Sequence, residues 1–346
     1  MKKILSVALL AIQGSLLMAQ SSSDKVPFMT KSLSSDAIKN VDVQTSGGSI
    51  SVSGVTPAES KVEVYVTANN NKKNLTKEEI QAIIKEKYDL NVSVANNKLT
   101  ATSKPKAGFK DWKDGLSFSF KVYVPVNVST ELNTSGGSIS LNNLSGNLDF
   151  ATSGGSLNVN NVSGKVTGRT SGGSIHVANA KNDIELTTSG GSIEAENCDG
   201  TLKLTTSGGS LKLHNLKGEI KATTSGGSID GQDIEGELFT HTSGGSIHLD
   251  GLSGSLETST SGGNIDVAIL NPGKFVKISN SAGNVNLQLP KNKGLDLDLN
   301  ASKIKTDNLE SFSGKLDDEH IVGKLNGGGV AVTVNAGSGK INLGLK

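Results

Sequence analysis

The sequence lacks two things that many exported or nucleic-acid-binding proteins rely on: paired cysteines and a strong net charge. Of 346 residues only one is Cys, and 34 Lys and Arg residues balance 33 Asp and Glu residues. A lone thiol excludes an internal disulfide, so rigidity must come from the fold itself. The balanced charge argues against a general electrostatic grip on nucleic acid or on anionic lipid. We therefore predict that neither is a partner.

Long apolar runs are also scarce, and the one present lies at the start of the chain. Met1-Lys2-Lys3 precedes an apolar run to Leu17 and a small-residue exit near Ala19, which is the layout of a secretory signal peptide. The run is short for a bilayer span and no second one follows, so we expect no membrane span in the mature chain. We predict export to the periplasm, the outer membrane surface or the extracellular space.

A repeat occupies the middle of the chain. The motif Thr-Ser-Gly-Gly-(Ser/Asn) begins eight times between Thr134 and Thr260, always 18 residues after the previous copy. Such a period without slippage is typical of a solenoid, because an insertion inside a stacked turn would break the register of its neighbours. An antiparallel sandwich is the alternative, but it would not need identical residues at identical places in every unit.

Within one unit, counted from its Thr, six places are predicted to face the core: the first, sixth, eighth, eleventh, fifteenth and seventeenth. The alternation of apolar and polar residues indicates two short strands separated by two turns. A third of each unit then faces inward, which agrees with a hydrophobic content of 34%. We therefore predict an all-β fold, a parallel β-solenoid with 18-residue rungs of two strands each.

Two corners separate the strands. At the first corner, the Gly-Gly pair is predicted to supply backbone freedom, with positive φ as one option, while the Thr and Ser before it bond to main-chain groups. At the opposite corner, the thirteenth place is Gly or Asn, which indicates a left-handed conformation. The tenth place of five successive units is Asn, and stacked amides predict a structural ladder made of Asn143, Asn161, Asn179, Asn197 and Asn215.

The ends depart from the repeat. An isolated motif at Thr45 precedes the array by 89 residues, and the intervening segment contains a capping box of Thr76 and Glu79 before an apolar helical face. Atypical turns at both ends are expected of a capped solenoid. The predicted division is a signal peptide (1–20), a lead-in (21–39), a first rung (40–55), an α/β insertion or cap (56–128), the regular array (129–270), and degenerate rungs with a cap (271–346).

Few side chains in the sequence are suited to catalysis, metal binding or ligand contact. Cys198 falls in the inward eleventh column, which predicts a buried structural thiol rather than a nucleophile. No Cys/His spacing resembles a zinc site, and no nucleophile elbow or phosphate loop is present, so we predict no catalytic, metal or cofactor site. Trp112 and Phe109 are candidates for stacking on a sugar, although packing in the cap is the more common role of such residues.

One pair of carboxylates keeps an enzymatic alternative open. Glu219 and Glu237 occupy the same outward place on neighbouring rungs, a spacing that would suit a retaining glycoside hydrolase or a polysaccharide lyase of β-helix type. The same column also contains Asn, Lys, Thr and Ser, which favours a mixed solvated face. The pair is therefore also a candidate for ligand contact without catalysis.

The repeats, the exported start, the Val-Pro-Val-Asn-Val entry at Val124 and the Gly-Gly-Gly-Val segment at Gly327 resemble the bacterial putative-adhesin family of exported β-strand-repeat proteins, a family built around a domain of unknown function. The resemblance covers roughly residues 40–346 and implies an extracytoplasmic β-solenoid with no catalytic residues to carry over. We expect a non-enzymatic, adhesin-like protein whose repetitive face binds a cell-surface, glycan or envelope component. End-to-end self-association is a further expectation.

Overall fold

A computed structural model describes residues 26–69, 75–107 and 115–346. The predicted signal peptide, Trp112 and Phe109 lie outside these residues. The regular secondary structure of the described residues is almost all strand, and the fold is solenoid-like. Its helices are α1 (Lys77–Lys87) and a 3-10 turn (Pro57–Glu59).

The strands are β1 (Met29–Ser32), β2 (Asn40–Gln44), β3 (Ile50–Val55), β4 (Lys61–Ala68), β5 (Tyr88–Ala95), β6 (Lys98–Pro105), β7 (Leu116–Pro125), β8 (Ser129–Thr134), β9 (Ile139–Thr152), β10 (Leu157–Thr170), β11 (Ile175–Ala178), β12 (Lys181–Thr188), β13 (Ile193–Glu196), β14 (Asp199–Thr206), β15 (Leu211–Thr223), β16 (Ile229–His241), β17 (Ile247–Thr260), β18 (Ile265–Asn280), β19 (Val285–Leu289), β20 (Leu295–Asn300), β21 (Lys303–Thr306), β22 (Phe312–Leu316), β23 (His320–Leu325), β24 (Val330–Asn335) and β25 (Lys340–Leu345).

In the regular array each repeat pairs in parallel with the next at an offset of 18 residues, so that Leu157 lies between Ile139 and Ile175. Two repeats divide into two separate strands, β11 with β12 and β13 with β14. The other repeats run as one strand that bends in the middle. We call face A the sheet formed by the segments that follow each Thr-Ser-Gly-Gly corner, and face B the sheet formed by the segments that precede it.

The six inward places form a continuous core between the two faces, as predicted. In the repeat that begins at Thr206, each of the six side chains is at most 2% exposed. Neighbouring rungs compensate in size: a Cβ added at Gly168 would lie 2.5 Å from the ring of Phe150 on the preceding rung. The ring therefore fills space that the glycine leaves, and packing is shared between rungs rather than completed within one.

The Thr-Ser-Gly-Gly corner works differently from our expectation. In the described residues, neither glycine of the pair has a positive φ at any of the eight corners of the array. The second glycine is needed for close stacking instead: a Cβ on Gly209 would lie 2.0 Å from the carbonyl oxygen of Gly191 on the rung below. A Cβ on the first glycine, Gly208, would meet only ordinary contacts at 3.6 Å.

The Thr of each corner connects two rungs. The Thr206 hydroxyl donates to the Gly191 carbonyl oxygen (2.7 Å) on the preceding rung and accepts from the Gly209 N–H (3.2 Å) within its own corner. The same pair of bonds recurs along the array, and in the first degenerate corner the Asn280 amide donates to the Gly263 carbonyl oxygen (2.8 Å) and accepts from the Gly283 N–H (3.0 Å). The predicted local bond of the Thr is confirmed. The bond to the preceding rung was not predicted from the sequence.

The opposite corner needs left-handed backbone. The Asn residues of the tenth place have φ values of +50° to +55° at Asn143, Asn161, Asn179, Asn197 and Asn215, and Gly occupies the thirteenth place with positive φ in most units. The only Asn of the thirteenth place, Asn182, has a φ of +79°. Asn tolerates this region better than other residues with a Cβ, so backbone conformation explains the column before any amide ladder does.

At the amino-terminal end, the stack does not follow chain order. β6 and β7 pair in parallel with β2 and β3, whose other sides pair with β8 and β9. The segment predicted as an insertion therefore contributes a rung outside the first one. Antiparallel strands then cover this rung: β5 pairs with β6, β4 with β7, and β1 with β4. The helix α1 begins after Thr76 with the predicted capping box and contacts β5.

The carboxyl-terminal end repeats this arrangement. β24 lies between β18 and β20 on face B, and β25 lies between β19 and β21 on face A. The last segment of the chain is thus inserted one rung before the end of the stack. The antiparallel strands β23 and β22 follow β20 on face B. A Cβ on Gly339 would lie 2.0 Å from the Gly283 carbonyl oxygen, so the final corner keeps the same close contact.

Candidate functional site

A groove on face A near the carboxyl-terminal end has a volume of about 750 Å³. It crosses five strands, β17, β18, β19, β25 and β21, and we call it the axial groove because it runs along the solenoid axis. The residues that line it are His248, Leu249, Asp250, Asp266, Val267, Ala268, Asn286, Leu287, Gln288, Lys305, Thr306, Asp307, Asn342, Leu343 and Gly344.

Two outward columns form the groove. The row at the seventh place and its equivalents is fully polar, and consists of His248, Asp266, Asn286, Asn342 and Lys305. The neighbouring row contains two small residues, Ala268 and Gly344, on either side of Gln288. Because these two residues lack bulk, the surface is depressed between polar neighbours.

The polar row is internally ordered. The Asn342 amide nitrogen donates to the Asn286 side-chain oxygen (2.6 Å), and the Asn286 amide nitrogen in turn donates to Asp266 Oδ1. At the far wall, Asp307 Oδ2 accepts from the backbone N–H of Leu345 (3.0 Å). These bonds hold the side chains in one orientation before any ligand arrives, which lowers the entropic cost of binding.

The charge of the groove is unbalanced. It contains three carboxylates, from Asp250, Asp266 and Asp307, and one ammonium group, from Lys305. Because the carboxylates outnumber the ammonium group, the groove is negatively charged, in contrast to the nearly neutral chain as a whole. The site therefore favours hydroxyl, amide or cationic groups over anions.

A second groove, of about 590 Å³, lies on face B near the amino-terminal end. Its best-ordered feature is an ion pair of 2.7 Å between Lys98 Nζ and Asp42 Oδ2. The hydrogen bond to the Asp42 carboxylate, and then its charge, raise the pKa of Lys98. Glu131 and Asp149 follow Asp42 in the same column. The lining contains these three carboxylates and two ammonium groups, from Lys98 and Lys165, so its charge is closer to balance than that of the axial groove, and this groove is the weaker candidate.

The described residues contain neither a candidate metal cluster nor a helix suited to a bilayer. No group of three or more His, Cys, Asp or Glu side chains there is placed to hold a metal ion. None of the helices in that part of the chain has the length and apolar character needed to cross a bilayer.

A profile of the Toastrack DUF4097 family matches residues 55–244 and 229–344, which is most of the chain. The chain belongs to this family. The resemblance seen in the sequence is thereby confirmed, and the family match includes the axial groove. No curated protein matches the chain.

Two solved structures are similar over nearly the whole length. One is of a putative cell adhesion protein from Clostridium sporogenes, with 13% identity, a TM-score of 0.22, and coverage of 92% of this chain and 98% of the other. The second is of a putative adhesin from Bacteroides fragilis, with 12% identity, a TM-score of 0.24, and coverage of 92% and 96%. At these scores the comparison carries no argument about function.

The carboxylate pair proposed for catalysis lies apart from both grooves. Glu219 and Glu237 are in register on adjacent strands, β15 and β16, where Glu219 is exposed and Glu237 is half-buried. Neither residue lines the axial groove or the groove on face B. A water-excluding cleft around the pair is thus not provided by either of these cavities.

Cys198 lies in the core and is 1% exposed. Burial raises the pKa of its thiol, against the smaller opposing effect of backbone hydrogen bonds, and the thiol donates to the Glu196 carbonyl oxygen (3.2 Å). A protonated, inaccessible thiol is a poor nucleophile and a poor metal ligand.

The predicted Asn ladder is discontinuous. Asn161 donates to Asn143 (3.1 Å) and Asn215 donates to Asn197 (2.7 Å), each between side chains 18 residues apart. Asn179 instead donates to the side chain of Asn160, in the neighbouring column (2.9 Å). The amides are therefore close enough to bond, but they do not form one uniform row.

Sequence reasoning missed the axial groove. Asn342 is 56 positions from its partner Asn286, so no fixed period connects them. One signal was present: the segment Gly337-Ser-Gly-Lys-Ile341 keeps the shape of a repeat corner. Aligning that corner with the one before Val285 would have placed Asn342 beside Asn286.

Proposed function

We propose that this protein is an exported, non-enzymatic, adhesin-like β-solenoid of two-strand rungs that binds a cell-surface, glycan or envelope component. The observation that carries the proposal is the axial groove: a preordered polar depression of about 750 Å³ on a rigid stack. Binding sites of this size are usually largely formed before the ligand arrives. Residues 1–20 serve as the signal peptide in this proposal.

The solenoid separates stability from recognition. Inward columns contain mostly aliphatic residues and Thr, whereas the outward seventh column changes from Ser140 and Asn158 to charged residues and back to amides. Outward positions therefore vary without disturbing the core. A surface of this kind suits recognition of an extended partner, because each rung presents its side chains at a spacing of about 4.8 Å.

Binding is tested with the mature chain, residues 21–346, immobilised and exposed to whole cells, envelope fractions and a panel of polysaccharides. We expect saturable retention of at least one component, and reduced retention when the groove is blocked. If the chain binds no cell, glycan or envelope material, the proposal is wrong.

An enzymatic alternative is favoured by one observation, the in-register placement of Glu219 and Glu237 on neighbouring strands. Adjacent parallel strands lie about 4.8 Å apart, close to the carboxylate separation of retaining glycosidases, about 5 Å. Release of reducing ends from a polysaccharide panel by the wild-type chain, and its loss in Glu219→Gln with Glu237→Gln, would establish hydrolysis. Absence of any cleavage would leave binding as the function.

A further inference from the structure

We infer that the axial groove binds a non-acidic polysaccharide chain lying parallel to the solenoid axis; this inference rests on the proposed function and names its ligand class. Four features of the groove support it: its length, the chemistry of its walls, its charge, and the pairing of the strands beneath it.

The groove is long and narrow. Its polar row extends from His248 on β17 to Lys305 on β21, which is four strand intervals. At about 4.8 Å per interval the row is about 19 Å long. A single small metabolite would contact only part of such a row, whereas a polymer in extended form would contact every rung.

The walls match a polyhydroxylated ligand. The carboxylates of Asp250 and Asp266 accept hydrogen bonds only, and each has more acceptor sites than the bonds within the protein occupy. The amides of Asn286, Gln288 and Asn342 both donate and accept. Sugar hydroxyl groups also do both, so successive rungs can bond to successive sugar units.

The negative charge of the groove favours neutral polysaccharides over acidic ones. Three carboxylates and one ammonium group make the groove repulsive to uronate or sulfate groups. Lys305 stands at one end of the row, three strand intervals from Asp266, so it does not neutralise that carboxylate. The groove therefore discriminates against acidic chains by repulsion as well as by fit.

An extended peptide fits less well. β18, β19 and β25 pair on both sides within the stack, so they offer no free backbone edge for strand addition. β21 pairs with β25 alone, and on its other side the Ile304 N–H donates to the Asp318 carbonyl oxygen (2.6 Å). The floor at Ala268 and Gly344 is shallow and provides no deep apolar pocket for peptide side chains. We therefore assign the groove to glycan rather than peptide.

Gly344 allows a clean test by steric block. A Cβ at this position would lie 3.7 Å from Gln288 Cγ and 3.8 Å from Asp307 Oδ2, which are ordinary contacts, and its φ is not in the left-handed region. Gly344→Leu should thus fill the groove without straining the backbone. The control is Asn158→Leu, at an exposed outward strand position five rungs from His248.

The experiment is calorimetric titration of the mature chain with cello-, manno- and chito-oligosaccharides of increasing length, and with oligogalacturonates of the same lengths. We expect at least one non-acidic series to bind, with affinity rising until the chain spans about 19 Å. Gly344→Leu should weaken binding at least tenfold, Asn158→Leu should leave it unchanged, and oligogalacturonates should not bind. Unchanged thermal unfolding and circular dichroism verify the fold of both variants.

Three outcomes would overturn the inference. Oligogalacturonates could bind as tightly as neutral chains, Gly344→Leu could bind like the wild type, or a peptide library could be retained by the groove while every saccharide is not. In each case the proposed function survives if the wild-type chain still retains cell or envelope material. If nothing at all is retained, the function and this inference fail together.

Discussion

The two corners of each rung both rely on glycine or Asn, and they share one physical reason but differ in a second. At the Thr-Ser-Gly-Gly corner, Gly209 is required because the backbone of the rung below approaches to a distance that excludes a Cβ. At the opposite corner, Gly218 and Asn215 have positive φ, and a Cβ on Gly218 would also lie 2.2 Å from the Gly200 carbonyl oxygen on the preceding rung. Contact between rungs therefore limits both corners, and only the opposite corner adds a constraint on the backbone conformation within a rung.

This difference separates two sources of rigidity. At the Thr-Ser-Gly-Gly corner, Thr206 joins two rungs through hydrogen bonds, so a side-chain bond adds to the close backbone contact. At the opposite corner, the left-handed backbone adds to a similar contact. A methyl group at Gly209 should therefore cost stability through the neighbouring rung, whereas a substitution at Asn215 should cost stability through its own backbone conformation.

The largest effect is expected at the second glycine. Gly209→Ala should lower the free energy of unfolding by about 3 kcal/mol, because the added methyl would overlap backbone rather than a flexible side chain. Gly208→Ala is the matched control and should be neutral or stabilising by up to about 1 kcal/mol, since its φ is compatible with Ala. Urea denaturation followed by circular dichroism measures both. Equal losses would show that the pair acts through flexibility instead.

Removal of the Thr hydroxyl should have the next largest effect. Thr206→Val leaves the Gly191 carbonyl oxygen and the Gly209 N–H without the bonds they make to Thr206, at an expected cost of about 1–3 kcal/mol. Thr206→Ser keeps the hydroxyl and should cost about 1 kcal/mol or less, for the lost methyl group. The urea midpoints of the two variants compare their stabilities. A Ser variant as unstable as the Val variant would contradict a role for the hydrogen bonds.

At the opposite corner, two substitutions separate backbone conformation from the amide ladder. Asn215→Ala should cost about 1–2 kcal/mol, because Ala is strained at a φ of +50°. Asn215→Gly removes the bond to Asn197 but accepts the same φ, so we expect a change within about 0.5 kcal/mol. Thermal unfolding of the two variants gives the comparison. If the Gly variant lost as much as the Ala variant, the ladder would be the main contribution.

The smallest effect is expected on the flat face between the corners. A hydrogen bond from Lys203 and its charge lower the pKa of Glu185, but both side chains are well exposed. Glu185→Gln should therefore cost less than about 0.5 kcal/mol. Because the folded pKa is the lower one, this contribution is present above the unfolded pKa and disappears as pH falls through the folded pKa. The stabilities of variant and wild type should therefore differ above the unfolded pKa and converge below the folded pKa, which acid unfolding curves measure; a gap that persists at lower pH would exclude the ion pair as the cause.

The regular array could be predicted from the sequence because each of its contacts repeats with the period of the residues that make it. The inward columns, the buried position of Cys198 and the local bond of each Thr follow from that period. The reason for the Gly-Gly pair cannot be predicted in this way. A close approach to the next rung and a positive φ both select glycine, so the sequence does not distinguish them.

The ends, and with them the candidate site, required the structure. Which strand lies beside β18 or β19 depends on packing among segments far apart in the chain, and chain order would have placed β20 and β21 there. Insertion of β24 and β25 brings Asn342 next to Asn286 and completes the polar row of the axial groove. The same exchange at the amino-terminal end places β6 and β7 outside β2 and β3.

This rung order can be tested directly by distances between spin labels. In a Cys198→Ala background, a label at His176 is paired with a second label at Asn342 or at Lys305. In the observed rung order, Asn342 lies seven strand intervals from His176, about 34 Å, and Lys305 lies eight intervals from it, about 38 Å. A shorter mean distance to Asn342 than to Lys305 is the predicted result. The reverse order would mean that the rungs stack in chain order, and the axial groove described here would not exist.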